Sequence, residues 1–320
     1  MQKATLGIDI AKATFHAALL HNHKLHQRQF ANTDSGFAQL QAWLGKHRAK
    51  RLHACMEATA SYGDELALLL YHAGHTVSVV NPARIHGFAQ SQLQRNKTDQ
   101  LDAALIARFC QQQQPEAWTP PPLEIQQLRA LVRRLEAVQE MRQQEANRLE
   151  QAAQQLLIRE SLLKIIATLD AEIARLRQLL NDHIDQHPHL RRDRELLLSI
   201  PGIGETTAAW LLSEVQVAAY GSARQVAAHA GLTPRHRQSG TSVHGPTPLS
   251  KTGNRRLRRA LYLPAVVAKR YNPIIRAFCQ RLQERGKRPM EIIGAAMRKL
   301  LHIVYGVLKS GKAFDPSLAA

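Results

Sequence analysis

A mixed-sheet α/β domain, followed by a helical arm and a mainly helical C-terminal domain, is the fold class this sequence predicts, on three observations. Short β-type runs alternate with helical ones over residues 4 to 80. Three prolines, Pro120-Pro-Pro122, then interrupt the chain, and a proline triplet cannot continue a helix and stiffens a linker. Beyond it, apolar residues recur at helical spacing through two long stretches.

The opening runs Thr5 to Ile10, Thr14 to Leu20 and Leu25 to Phe30 alternate like strands with short polar connections, which predicts an antiparallel meander. A helix is expected from about Gly36 to Lys46, with Asp34 or Ser35 as its N-cap. A strand from Arg51 to Met56, a helix from about Tyr62 to His72 and a strand from Thr76 to Val80 follow, the last stopped by Asn81-Pro82. This βββαβα order, continued by a strand and more helix, is that of the RNase H-like fold, a mixed sheet flanked by helices.

Past the prolines, Leu128, Leu131, Leu135, Val138, Met141 and Leu149 recur among Glu, Gln and Arg, and Leu162, Ile166, Leu169, Ile173, Leu176 and Leu180 repeat the pattern. Two such amphipathic helices make an antiparallel hairpin or coiled-coil arm, either a spacer or a dimerisation device, closed by His187-Pro188. Domains are therefore expected at 1–118, 119–190 and 191–320. Residues 195–215 run a helix into Pro201-Gly-Ile-Gly204 and restart it, a helix-hairpin-helix pattern. Backbone N–H groups around Gly202 and Gly204 can meet a phosphate there, although such hairpins also serve only to pack protein on protein. After a short helix around Ala223 to Ala230, the stretch Gly231 to Leu249 is rich in Gly and Pro and reads as one long loop without regular structure. Helices are expected from Arg255 to about Arg270, around Pro273 to Arg285 and around Pro289 to Leu308.

The chain has 320 residues and a formal charge of +18, placed unevenly. Residues 1–190 carry 21 Lys and Arg against 18 Asp and Glu, whereas residues 191–320 carry 22 against 7. Such an excess suits a polyanion, because neutralising phosphates releases condensed counterions. Nucleic acid is the first candidate; a merely soluble basic protein or one that touches anionic lipid also fits. No apolar run approaches the roughly 20 residues of a membrane span, and the N-terminus lacks a signal-peptide core, so a cytoplasmic, nucleoid-associated protein is expected. Cys55, Cys110 and Cys279 are odd in number and far apart, which indicates neither a disulfide framework nor a zinc knuckle.

Four carboxylates stand out: Asp9 in Leu6-Gly-Ile-Asp-Ile10, Glu57 after His53-Ala-Cys-Met56, and Asp99 with Asp102 at the start of an apolar helix. On the first strand Gly7, Asp9 and Ala11 face away from Leu6, Ile8 and Ile10, so Asp9 has small neighbours and room for a ligand. Glu57 falls at a strand's C-terminal end, where open α/β sheets expose groups to a crevice. Asp99 and Asp102 share a helix face. Together they are four hard oxygen donors, suited to one or two Mg²⁺ ions and to phosphoryl transfer. Singly, Asp99 also reads as an N-cap and Glu57 as a solvated strand end. Asp34, Asp64 and Glu65 read as caps or surface, and His21, His23 and His26 as exposed turn residues.

The blocks Gly7-Ile-Asp-Ile-Ala-Lys12, Met56-Glu-Ala-Thr-Ala-Ser-Tyr62, Asn96-Lys-Thr-Asp-Gln-Leu-Asp-Ala103, Ile200-Pro-Gly-Ile-Gly204, Ala230-Gly-Leu-Thr-Pro-Arg235 and Gln238-Ser-Gly240 resemble the DEDD insertion-sequence transposases. These pair a RuvC-like N-terminal domain with a C-terminal transposase domain and are described as guided by a bridge RNA. The likeness runs from about residue 3 to residue 315. It implies that the acidic tetrad is Asp9, Glu57, Asp99 and Asp102, that Ser239 is the nucleophile, and that the product of its attack is a phosphoserine linkage to DNA. It also implies donor and target DNA as substrates, a non-coding bridge RNA that pairs with both, and a homodimer or tetramer in which serine and tetrad come from different subunits.

Read alone, Ser239 is a Ser-Gly in a Gly-rich loop beside Arg235, His236 and Arg237, and Thr241 and Ser242 compete with it. Arg235, Arg237, Lys251, Arg255, Arg256, Arg258 and Arg259 are the cations expected on nucleic acid. Tyr262, the one alternative nucleophile of the recombinase type, reads as core. Two other functions stay open: a metal-dependent junction-resolving nuclease that needs no serine, and a non-catalytic nucleic-acid-binding protein.

Overall fold

The computed structural model describes residues 4–58, 62–92, 99–152, 156–235, 238–239, 243–244 and 247–319. The chain divides into two compact units, Met1–Pro121 and Pro122–Ala320, and the division falls inside the proline triplet.

In the first unit β1 (Ala4–Ile10), β2 (Thr14–His21) and β3 (Lys24–Ala31) form the meander. Asn22 and His23, at φ 49° and 62°, make the two-residue left-handed turn whose twist matches a tight hairpin. Helix α1 (Asp34–Lys46) follows. Its N-cap is Thr33, one residue ahead of the expected pair: the Thr33 hydroxyl accepts from the Gly36 N–H at 3.4 Å, while Asp34 joins the first turn, where its charge favours the helix dipole.

Then come β4 (Leu52–Glu57), α2 (Asp64–His72), β5 (Thr76–Val80), α3 (Pro82–Ser91) and α4 (Asp99–Gln113). Asn81 does more than end β5, because its side chain accepts from Ala83 N–H and caps α3 with Pro82 in the first turn. The five strands order β3-β2-β1-β4-β5, with β1 antiparallel to β2 and parallel to β4, and β4 parallel to β5. This mixed sheet agrees with an RNase H-like domain.

The two faces of the sheet are covered differently. Leu6, Ile8, Phe15, Leu19 and Phe30 pack under Phe37, Leu40 and Trp43 of α1 and Leu66 and Leu70 of α2. On the other face α4 lies directly on β1, and Ala18, Ala103, Ala104 and Ala107 form a small-residue contact.

The second unit is helical. Helices α5 (Leu123–Gln151) and α6 (Leu156–Gln186) run beside each other, and Leu128, Val132, Leu135 and Val138 join Ile173, Leu176 and Leu180 in one core. That core continues through α7 (Pro188–Leu198), α8 (Glu205–Glu214) and α9 (Ala223–His229). The stretch expected as an irregular loop contains a small ladder, β6 (Gln238–Ser239) against β7 (Val243–His244).

Where one helix was expected from Arg255, there are two, α10 (Arg255–Ala260) and α11 (Tyr262–Tyr271), meeting at Leu261. Pro264 explains the break, since a continuous helix would drive its ring into the carbonyl four residues back. Helices α12 (Pro273–Glu284) and α13 (Pro289–Ser310) complete the unit. Among the described residues no helix is long and apolar enough to cross a membrane.

Candidate functional site

The backbone brings three of the four acids to one end of the sheet. Ile8 is paired with Met56 across the parallel β1–β4 ladder, so the next residues, Asp9 and Glu57, are neighbours on adjacent strands, about 4.8 Å apart along the hydrogen-bonding direction. Both are half-buried. By strand alternation Asp9 shares a face with Gly7, the face that α4 covers.

Gly7 sets how close α4 comes. A Cβ there would fall 2.2 Å from both the Ala103 carbonyl oxygen and the Ala107 nitrogen. The smallness of Gly7 therefore admits a helix backbone rather than leaving space for a ligand.

The direction of α4 follows from two contacts. Ala103 and Ala107 sit at the level of Gly7, while the Cys110 thiol donates to the His53 carbonyl at 3.5 Å, and His53 is paired with Thr5. The helix thus runs antiparallel to β1. From Cys110 back to Asp102 is about 12 Å of helix, and from Thr5 on to Asp9 is about 13 Å of strand. Asp102, half-buried, therefore reaches the level of Asp9 and Glu57, and Asp99 heads the same helix one turn earlier. The side chain of Asp99 lies outside the described residues. Among those described, no group of three or more His, Cys, Asp or Glu side chains stands ready to hold a metal ion. In kind, an all-carboxylate oxygen set with exposure to solvent suits a hard divalent cation.

Ser239 is in β6, paired with Val243, and its backbone alone is described. Below it the chain is zipped: Arg235 N–H donates to the Pro248 carbonyl at 2.8 Å, Ser250 N–H to Thr233 at 2.8 Å and Lys251 N–H to Gly231 at 3.1 Å, with a bridge between Pro234 and Leu249. Ser239 is thus in a two-residue antiparallel ladder, and a base formed by the described stretches 231–235 and 248–251 is held together by its own antiparallel hydrogen bonds. Gly231 and Gly253, at φ 68° and 137°, close that base; a Cβ on Gly253 would fall 2.2 Å from the His229 carbonyl oxygen. His236, Arg237, Thr241 and Ser242 lie outside the described residues.

The expected cations divide into two groups. Arg235, Lys251, Arg255 and Arg256 are exposed. Arg258 and Arg259 bond to protein groups: Arg258 Nη1 donates to the Ala230 carbonyl at 3.0 Å, and Arg259, though exposed, binds Glu140 through Nη1 at 2.7 Å and lies 3.6 Å from Glu136. Gly202, at φ 105°, packs against Ala268, to whose Cβ its own Cβ would come within 2.7 Å, and the Pro201 carbonyl accepts from buried Asn272. That turn is therefore packed on protein along one side. Gly204, by contrast, is exposed at the N-cap of α8. Tyr262 is 39% exposed instead of core, because α11 turns Pro264, Ala265 and Ala268 inward.

Two residues the sequence did not single out, Glu214 and Asn254, lie at the centre of a polar cluster. Glu214 is buried at the end of α8, with Arg129 and Arg133 of α5 each 3.6 Å away, and its Oε2 accepts from Asn254 Nδ2 at 2.8 Å. Asn254 was legible as an N-cap, an Asn before an arginine-rich helix; nothing local marks Glu214.

Comparison with known proteins matches both units. A transposase model of the DEDD IS110 kind matches residues 6–158, and a model of the IS116/IS110/IS902 transposase family matches residues 194–280. The chain is 36% identical over 320 residues to the pilin gene-inverting protein of Moraxella bovis, covering 98% of each chain, and equally to that of Moraxella lacunata. It is 25% identical over 350 residues to the transposase for insertion sequence element IS1328 of Yersinia enterocolitica, covering 97% of this chain and 98% of that one.

Proposed function

The chain belongs to the IS116/IS110/IS902 family of transposases, which makes it a DNA-rearranging enzyme, and we propose that it cuts and rejoins DNA through a covalent link to Ser239. The Ser239 oxygen attacks a phosphodiester; the new O–P bond forms as the bond to one deoxyribose oxygen breaks, and that oxygen leaves with a proton. A DNA hydroxyl later attacks the phosphoserine and restores the serine, so the bond energy is kept and no ATP is needed.

Asp9, Glu57, Asp99 and Asp102 would hold Mg²⁺, one or two ions, which when bound supplies positive charge at the scissile phosphate. The single observation that supports this half is the register Ile8 to Met56 together with the antiparallel course of α4, which brings Asp9, Glu57 and Asp102 to one sheet end. The serine half is supported by the zipped ladder, because a nucleophile gains from a carrier that fixes its approach. The exposed Arg235, Lys251, Arg255 and Arg256, and the N-terminus of α8 at Gly204, are the contacts proposed for DNA backbone.

Donor and target DNA are the substrates in this reading, a non-coding bridge RNA pairs with both, and a dimer or tetramer does the work. The relatives' names support this as far as DNA: one inverts a pilin gene and another is a transposase.

The test is to incubate protein, Mg²⁺, RNA transcribed from the DNA flanking its gene, and donor DNA, then quench in denaturant. An adduct of protein and DNA that Ser239→Ala abolishes is expected. Cleavage without any adduct would point to the metal-dependent nuclease instead.

A further inference from the structure

An acid buried at a helix C-terminus is in an adverse position twice over: burial penalises its charge, and the helix dipole is negative there. Glu214, whose side chain is 6% exposed at the end of α8, meets both conditions. Arg129 offsets them by forking onto the Ser213 carbonyl, at 3.2 Å from Nε and 3.0 Å from Nη2, while it and Arg133 flank the carboxylate. Among the described residues Glu214 Oε1 nevertheless has no hydrogen-bond partner. Apolar packing would stabilise this spot as well, so what the carboxylate contributes is its other oxygen.

That oxygen accepts from Asn254, and Asn254 is connected on every side. Its Oδ1 accepts from Leu257 N–H at 3.0 Å and caps α10. Its own N–H donates to the His229 carbonyl at 2.6 Å, and the preceding Gly253 is pressed on that same carbonyl. Two residues further back, Lys251 N–H starts the zipped base below Ser239. We propose that Glu214 is a positioning residue for the Ser239 ladder: through Asn254 it ties the ladder's base and the start of α10 to the end of α8 and to arm helix α5. The activity arm of this inference rests on Ser239 being the nucleophile; the tie itself does not.

The test reverses one hydrogen bond. Asn254→Asp keeps the capping oxygen but removes the N–H donor and sets two carboxylates against each other. In the full-length protein, amide exchange at Arg235, Ser250 and Lys251 should quicken at least about tenfold, with α5 and α13 unchanged, and adduct formation should fall about as much. Adding Glu214→Gln supplies an amide donor to the introduced carboxylate and should return both readouts to within about threefold of the parent.

A general loss of stability would instead add the two defects together. Exchange in Asn254→Asp within twofold of the parent, or a double variant no better than the single one, overturns the proposal. Full recombination by Ser239→Ala would dispose of the serine nucleophile separately, and the exchange measurement would still decide the role of Glu214.

Discussion

Gly7 and Ala107 lie so close that a side chain on the glycine would overlap the Ala107 nitrogen at 2.2 Å, and this closeness seats α4 on β1. Gly7→Ala cannot be relieved by a rotamer change, because the atoms it meets are backbone. It should cost about 3 kcal/mol, at the upper end for overpacking, read as a lower midpoint of urea unfolding. Because α4 carries Asp99 and Asp102, any folded fraction should also have lost strand-joining activity.

Asp9→Asn and Asp102→Asn should fold like the parent, since both side chains are only half-buried, yet lose adduct formation at least about a hundredfold, in line with removing a metal ligand. Chelation with EDTA should do the same to the parent, and restored Mg²⁺ should reverse it. Parent-like adduct formation by Asp9→Asn would remove the tetrad from the mechanism.

Salt dependence separates the arginines of α10. Arg255, Arg256 and Arg259 are all exposed, but Arg259 is also bonded to Glu140. Replacing Arg255 or Arg256 with Ala should each lower the slope of log affinity against log salt by about 0.9 if each neutralises one phosphate of duplex DNA. Arg259→Ala should change it by less than half as much. Equal slopes for all three would contradict this division.

Burial lowers the His229 pKa below its ordinary 6.5, with the nearby Glu214 charge raising it in part. Since the unfolded chain takes up a proton more readily than the folded one, stability is complete above about pH 6.5 and falls as pH drops below it. Burial lowers His75 and His302 in the same direction. Urea midpoints measured from pH 8 to pH 5 should decline below about 6.5, and His229→Gln should flatten part of that decline.

The sheet could be read from the sequence because the β-type runs Thr5 to Ile10, Thr14 to Leu20 and Thr76 to Val80 are local, and the strands fall there. Glu57 was legible for the same reason, as the residue that ends β4. What escaped depended on distant residues. The ion pair of Arg259 could not be foreseen, because its partner Glu140 is 119 positions away and is brought near only by the packing of α5. Gly7 was read as space for a ligand, and α4, about 100 residues later, fills it. Tyr262 was read as core because an apolar helix does not announce which side turns inward. The pairing of Glu214 with Asn254 is likewise invisible until α8 and α10 are adjacent.

Whether Ser239 itself becomes joined to DNA is decided by mapping the adduct. Denatured adduct is digested with nuclease and trypsin, and residues 238–251, bounded by Arg237 and Lys251, are sequenced by mass spectrometry for the residual nucleotide. A nucleotide phosphate on Ser239 is expected. A nucleotide on Thr241 or Ser242, or joined DNA product with no modified peptide at all, would contradict it.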